Sequence, residues 1–190
     1  MENFETNTVA VKWLRYLFYV HIAGIIVSLT TWLFEGNLAV WLGRAVTLGV
    51  VICMYQLSPL NDRYKKSFIF RGVMLILTLI TFLLYSSVFL TLAASVLSLL
   101  ATYQEYKAHS ELVAAKDAGL SRNWSSLFIW EILVSVATTA LTMTATLILV
   151  LGEIGTSAVV ATITAIMKLV SLVLGVLYLV YLHRTRKLFE

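Results

Sequence analysis

A chain of 190 residues that is 60% apolar and 13% charged, with a mean hydropathy of +0.90, lies outside the range of soluble domains; those carry about 25% charge and about 45–50% apolar residues. The net charge of +4 excludes a nucleic-acid surface, because the bases stand beside long apolar runs rather than together on one soluble face. The single cysteine, Cys53, excludes a disulfide framework or a thiolate metal centre within the chain and reads as a small buried hydrophobe.

The amino terminus, "MENFETNTVAVKWLRYLFYV", places two acids before its first base. It runs on without a small-residue cleavage site, so the first apolar segment is expected to be retained rather than removed as a signal peptide. A membrane-crossing helix needs about 20 mostly apolar residues. Residues 14–34 supply the first, stopping at "EGN" (35–37), and residues 38–58 the second, stopping at "SPLNDRYKKS", where Pro59 cannot continue a helix. Residues 68–103 are too long for one span, since such a helix would rise about 54 Å against a hydrocarbon core of about 30 Å. Two spans, 67–84 and 88–104, turning near "YSS" (85–87), fit instead. Residues 126–151 and 157–182, joined by "GEIGTS", complete the set.

Charge sets the orientation. Lys12 and Arg15, then Arg63, Lys65 and Lys66, then Lys107, Lys116 and Arg122, and finally Arg184, Arg186 and Lys187 fall on one side of six spans, while the three turns opposite hold no base. The positive-inside rule puts both termini in the cytoplasm. The expected fold is therefore all-α: a single domain over residues 1–190, a polytopic bundle of six transmembrane helices in the cell membrane. Trp13, Trp124, Tyr16 and Tyr103 fit an inner aromatic belt, and Trp32 and Trp41 an outer one.

The long polar segment "YQEYKAHSELVAAKDAGLSRNW" (103–124) has no stop signal at the membrane surface. Helix 4 is expected to continue over 104–118 and project about 20 Å into the cytoplasm. Glu105 with His109, and Lys107 with Glu111, stand at i,i+4 spacing. Gly119 reads as a left-handed stop followed by Leu120, and Ser121 as the N-cap of helix 5. Glu105, His109 and Asp117 do not form a metal set, because Asp117 lies two turns further on and no second histidine is near. A solvated helix face remains, with Glu105, Tyr106, His109 and Leu112 as a docking surface for a membrane partner.

Several ionisable groups fall inside the spans. Arg44 and Arg71 lie near helix ends and can snorkel to water, Arg44 pairing with Glu35. His21 and Glu131 lie about two turns from the inner surface. Glu131 reads either as a proton-accepting group or as a member of a cluster with His21 or Tyr178. Lys168 falls near the bilayer midplane, where a lysine costs about 2.5–3.5 kcal/mol and faces the bundle or a wet cavity. Its level on helix 5 is that of Ala140. Glu131 lies about 13 Å nearer the cytoplasm, so a direct bridge is not expected. Hydroxyls surround the lysine instead: Ser135, Thr138 and Thr142 share a stripe with Glu131, and Ser171 shares one with Lys168. Lys168 reads as a charged anion or ion site, as a neutral amine in proton or imine chemistry, or as the partner of an acid on another protein.

No HExxH, GxSxG or level pair of carboxylates occurs, so no catalytic residue, metal or cofactor is expected. Two functions remain. The chain binds or transports a small solute or ion at Lys168, Glu131, Ser135, Thr138, Thr142, Ser171 and His21, between helices 5 and 6. Alternatively it is a regulatory subunit, or a self-associating one, that docks through helix 4.

Overall fold

The computed structural model describes residues 2–30, 37–83, 88–150 and 157–190; within these, the side chains of 2–6, 37, 39, 88, 91, 139, 142–150, 157–161 and 164 lie outside the description. The described residues form six helices: α1 (Glu2–Thr30), α2 (Asn37–Leu57), α3 (Asp62–Leu83), α4 (Val88–Ala114), α5 (Ala118–Val150) and α6 (Ser157–Lys187). α3 ends at Leu83 and α4 starts at Val88, so the long apolar run of 68–103 is divided between two helices. The turns "EGN", "YSS" and "GEIGTS" lie wholly or mostly outside the described residues.

Each helix packs on its neighbours in sequence, and α6 returns to α1, so the six close into a ring. The directions alternate. Val20 meets Gly49 and Val46 meets Gly24, where an added Cβ would stand 3.2 Å from the valine methyls, a close antiparallel approach of α1 and α2. Tyr55 packs on Phe68, while the Arg44 guanidinium lies 4.8 Å over the Phe82 ring. That cation–π contact is the local partner of Arg44, the predicted Glu35 lying outside the described residues. The Ser67 hydroxyl donates to the Ala101 carbonyl at 3.0 Å, Ser110 meets Ser121, and Phe18 meets His183. Both termini, the α2–α3 turn and the α4–α5 turn therefore share one end of the ring, called here the terminal end.

Short polar caps make those turns. The Asn61 carboxamide accepts from the Arg63 amide at 2.8 Å, starting α3 two residues after Pro59. Asp117 accepts from the Leu120 amide at 2.8 Å and starts α5, so the expected left-handed Gly119 and the expected Ser121 cap are both corrected. The Asp117 carboxylate reaches the third amide of the helix, and Gly119 lies within the first turn. Asp117→Ala is expected to lower stability by about 1 kcal/mol, read as a fall in unfolding temperature in detergent. An unchanged melting curve would argue against this cap.

Among the described residues, four segments are long and apolar enough to cross a membrane: Asn7–Thr30, Val40–Leu57, Asp62–Leu83 and Ala165–Lys187. Outward faces of all six helices carry large apolar side chains, such as Ile26, Ile52, Ile76, Phe89, Trp130 and Val173. A soluble monomer does not expose apolar surface on this scale, and a lipid environment removes the cost. The tight core sits in the terminal half, where Leu14, Leu17, Met54, Leu57, Tyr64, Val113, Trp124 and Leu182 are buried.

Two expectations change here. Trp124 is no belt anchor: it is fully buried and its indole N–H donates to the Thr185 hydroxyl at 3.0 Å. The polar part of α4 is not a solvated face either. Glu105, Tyr106, His109 and Ser110 point into the ring and are buried, leaving Glu111 exposed and Leu112 half-covered. The docking surface read from Glu105, Tyr106 and His109 is thus interior. The helix ends around it, supplied by α1, α3, α5 and α6, cover what the sequence left looking wet.

Candidate functional site

The interior of the terminal half is polar as well as tight. Glu105 on α4 forms an ion pair with Arg71 on α3 and accepts the Tyr178 hydroxyl of α6. Two histidines flank the carboxylate at 4.0 Å, His21 from α1 and His109 from the next turn of α4. His21 donates from Nδ1 to the Leu17 carbonyl at 3.0 Å and stacks on Tyr178, centroids 4.2 Å apart. His109 lies between the ring of Trp124, centroids 4.5 Å apart, and the hydroxyl of Tyr64, 2.8 Å from its Nδ1. Burial pushes the His109 imidazole down to about 4, against the pull of the Glu105 carboxylate, so the ring is neutral at physiological pH.

The hydrogen-bond network assigns the tautomer of that neutral ring. Tyr178 gives its proton to Glu105, so its oxygen accepts from His109 Nε2–H, 3.4 Å away. His109 Nδ1 then accepts from Tyr64. One directed chain, Tyr64 to His109 to Tyr178, ends on Glu105. On its far flank the Tyr106 hydroxyl donates to Glu131 at 3.0 Å.

Above this cluster, away from the terminal end, a half-open cavity of about 520 Å³ lies among α1, α2, α3 and α6. Arg71 and His21 form its floor. Its walls rise along α1 from His21 to Leu29, about 12 Å. Ser28, Thr47, Ser171 and Lys168 supply the remaining polar lining, among apolar side chains of α1, α2 and α6. Among the described residues no aspartate or glutamate lines it. Arg71 is thus shared: one Nη binds Glu105 beneath the floor, and its Nε is buried without a hydrogen-bond partner.

The residues read from sequence are divided by this geometry. His21, Lys168 and Ser171 meet in the cavity, whose walls come from α1, α2, α3 and α6 rather than from helices 5 and 6. Glu131 accepts from the Tyr106 hydroxyl at 3.0 Å and so belongs to the cluster. Ser135 lines a separate groove between α4 and α5 with Ser95 and Ser98. Thr138 donates to the Val134 carbonyl of its own helix at 2.8 Å. The Thr142 side chain lies outside the described residues. Among the described residues no group of three His, Cys, Asp or Glu side chains could hold a metal ion.

Sequence reasoning left Tyr64 aside, read Trp124 as a belt anchor and read Arg71 as snorkelling to water, whereas Arg71 turns inward to pair with Glu105. Arg71 carried a usable signal, a base inside the apolar run that begins at Phe68. An interior arginine needs an acid, and Glu105 was available once its segment is drawn inside. No protein-family model matches the chain, and no curated protein or solved structure matches it either.

Proposed function

We propose that the chain is an integral membrane protein of six spanning helices, with both termini on the cytoplasmic face of the cell membrane. On this reading it binds a small organic anion in the cavity among α1, α2, α3 and α6 and carries it across the bilayer. The observation that supports it best is a cavity whose described lining holds two strong cations, Arg71 and Lys168, and no acid. Serine and threonine hydroxyls add donors for a carboxylate, and the apolar walls suit a hydrocarbon body. The volume lies within the range usual for small-molecule sites, about 300–1,000 Å³.

The orientation follows from charge. Of 14 Lys and Arg residues, all but Arg44, Arg71 and Lys168 lie toward the terminal end, as cytoplasmic loops require. The bilayer is the protein's constant partner, through the apolar outer faces.

Native mass spectrometry of the gently purified protein, beside Lys168→Met, tests the reading. The expected result is a small anionic adduct, endogenous or supplied as benzoate, held by the wild type and lost or much weakened in the variant. Equal retention by both proteins, or no adduct with either, would overturn it.

A further inference from the structure

We infer that filling the cavity is coupled to uptake of one proton by Glu105, because the incoming carboxylate takes Arg71 over from it. The inference rests on the anion-binding reading and adds to it a driving force: the solute moves together with a proton.

Arg71 is the fixed cation shared by the two compartments, beside His21, which also lines the cavity and stands 4.0 Å from Glu105. Arg71 lines the cavity floor, while its Glu105 partner is fully buried beneath and lines no part of the cavity. With the cavity empty, Arg71 and Glu105 neutralise each other. An anion that docks on the floor forces one guanidinium to serve two carboxylates. A buried carboxylate stripped of its counter-charge is strongly disfavoured, and the least costly relief is to bind a proton. Lys168 does not remove the competition, because it sits on the wall and not at the floor where Arg71 presents its donors.

The other groups facing Glu105 are suited to this exchange rather than to replacing Arg71. From α1 comes His21, whose Nδ1 donates to Leu17. From α2 the buried core holds the Cys53 thiol. Besides Arg71, α3 supplies Tyr64, and α4 supplies His109. From α5, Glu131 approaches through Tyr106, and α6 brings the donating Tyr178. None is a fixed cation.

The proton has a built route. Tyr178 passes its hydroxyl proton to a Glu105 oxygen as it receives one from His109 Nε2. His109 regains one at Nδ1 from Tyr64, whose buried hydroxyl is reprotonated from the medium when the core around it opens toward the terminal end. Each bond to hydrogen broken is matched by one formed, and the net change is one proton moved from the medium to Glu105.

The test is calorimetry of benzoate and of glutarate binding to the full chain in detergent, at neutral pH, in two buffers of different ionisation heat. Both carboxylates are already ionised there, so any proton taken up belongs to the protein. The expected result is about one proton taken up per anion bound and affinity that rises about tenfold per unit fall in pH. Glu105→Gln should bind without proton uptake and with a flat pH profile. Should that variant not fold, the wild-type comparison decides alone. Binding with no proton uptake overturns the coupling and leaves the anion site standing; binding of neither carboxylate overturns both.

Discussion

Replacing Arg71 by methionine is expected to lower the stability of the folded bundle by about 3–5 kcal/mol, the usual cost of stranding one member of a buried ion pair. Glu105 has no exposure through which water could replace the lost guanidinium. Tyr178 supplies one hydrogen bond but no positive charge. The loss should appear as a large drop in unfolding temperature in detergent. Adding Glu105→Gln to Arg71→Met should then recover most of it, since the remaining amide needs hydrogen bonds and not a counter-ion. A single variant as stable as the wild type, or a double variant no better than the single one, would show that the pair does not carry the interior.

Trp124→Ala is expected to be about as damaging, at about 3–5 kcal/mol, for a different reason. The indole is enclosed: it stacks on His109, meets Tyr106, Tyr178 and Tyr181, and binds Thr185. Truncation leaves a cavity at the centre of an aromatic cluster and a buried hydroxyl without its donor. Trp130, six residues along the same helix, is 59% exposed and faces outward. Trp130→Ala should therefore unfold close to the wild-type temperature in the same assay. If the two substitutions cost the same, the assignment of Trp124 to the core is wrong.

The six helices, four of them long and apolar enough to cross a membrane among the described residues, were legible because length and apolarity act locally. About 20 apolar residues make a span wherever they occur, and a run too long for one span must break. The polar interior was not legible, because its bonds join residues far apart in the chain. Glu105 is 34 positions from Arg71 and 73 from Tyr178. Within its own helix Glu105 has only His109 and a polar neighbourhood, which is also how a solvated surface looks. Trp124 failed the same way: a tryptophan at the end of an apolar run fits a lipid headgroup belt equally well. Lys168 and His21 could be singled out because each is conspicuous in its own segment. Their common cavity depends on α1 closing against α6, which no local pattern announces.

The Arg71–Glu105 pair also bears on how the chain enters its membrane. Its two members sit on adjacent helices separated by residues 84–87, so they emerge from the ribosome within one hairpin. Inserted singly, a charged residue within a span adds about 2.5–3.5 kcal/mol to the cost of leaving the translocon. Inserted together, α3 and α4 bring Arg71 and Glu105 in as a mutually neutral pair, and the costly step of desolvating each charge coincides with forming their mutual bond. Tyr178 arrives on the last helix, after its carboxylate acceptor is already in place. Biogenesis of the ring thus has a natural order: the central hairpin settles its charges first, and α6 completes both the ring and the coordination of Glu105.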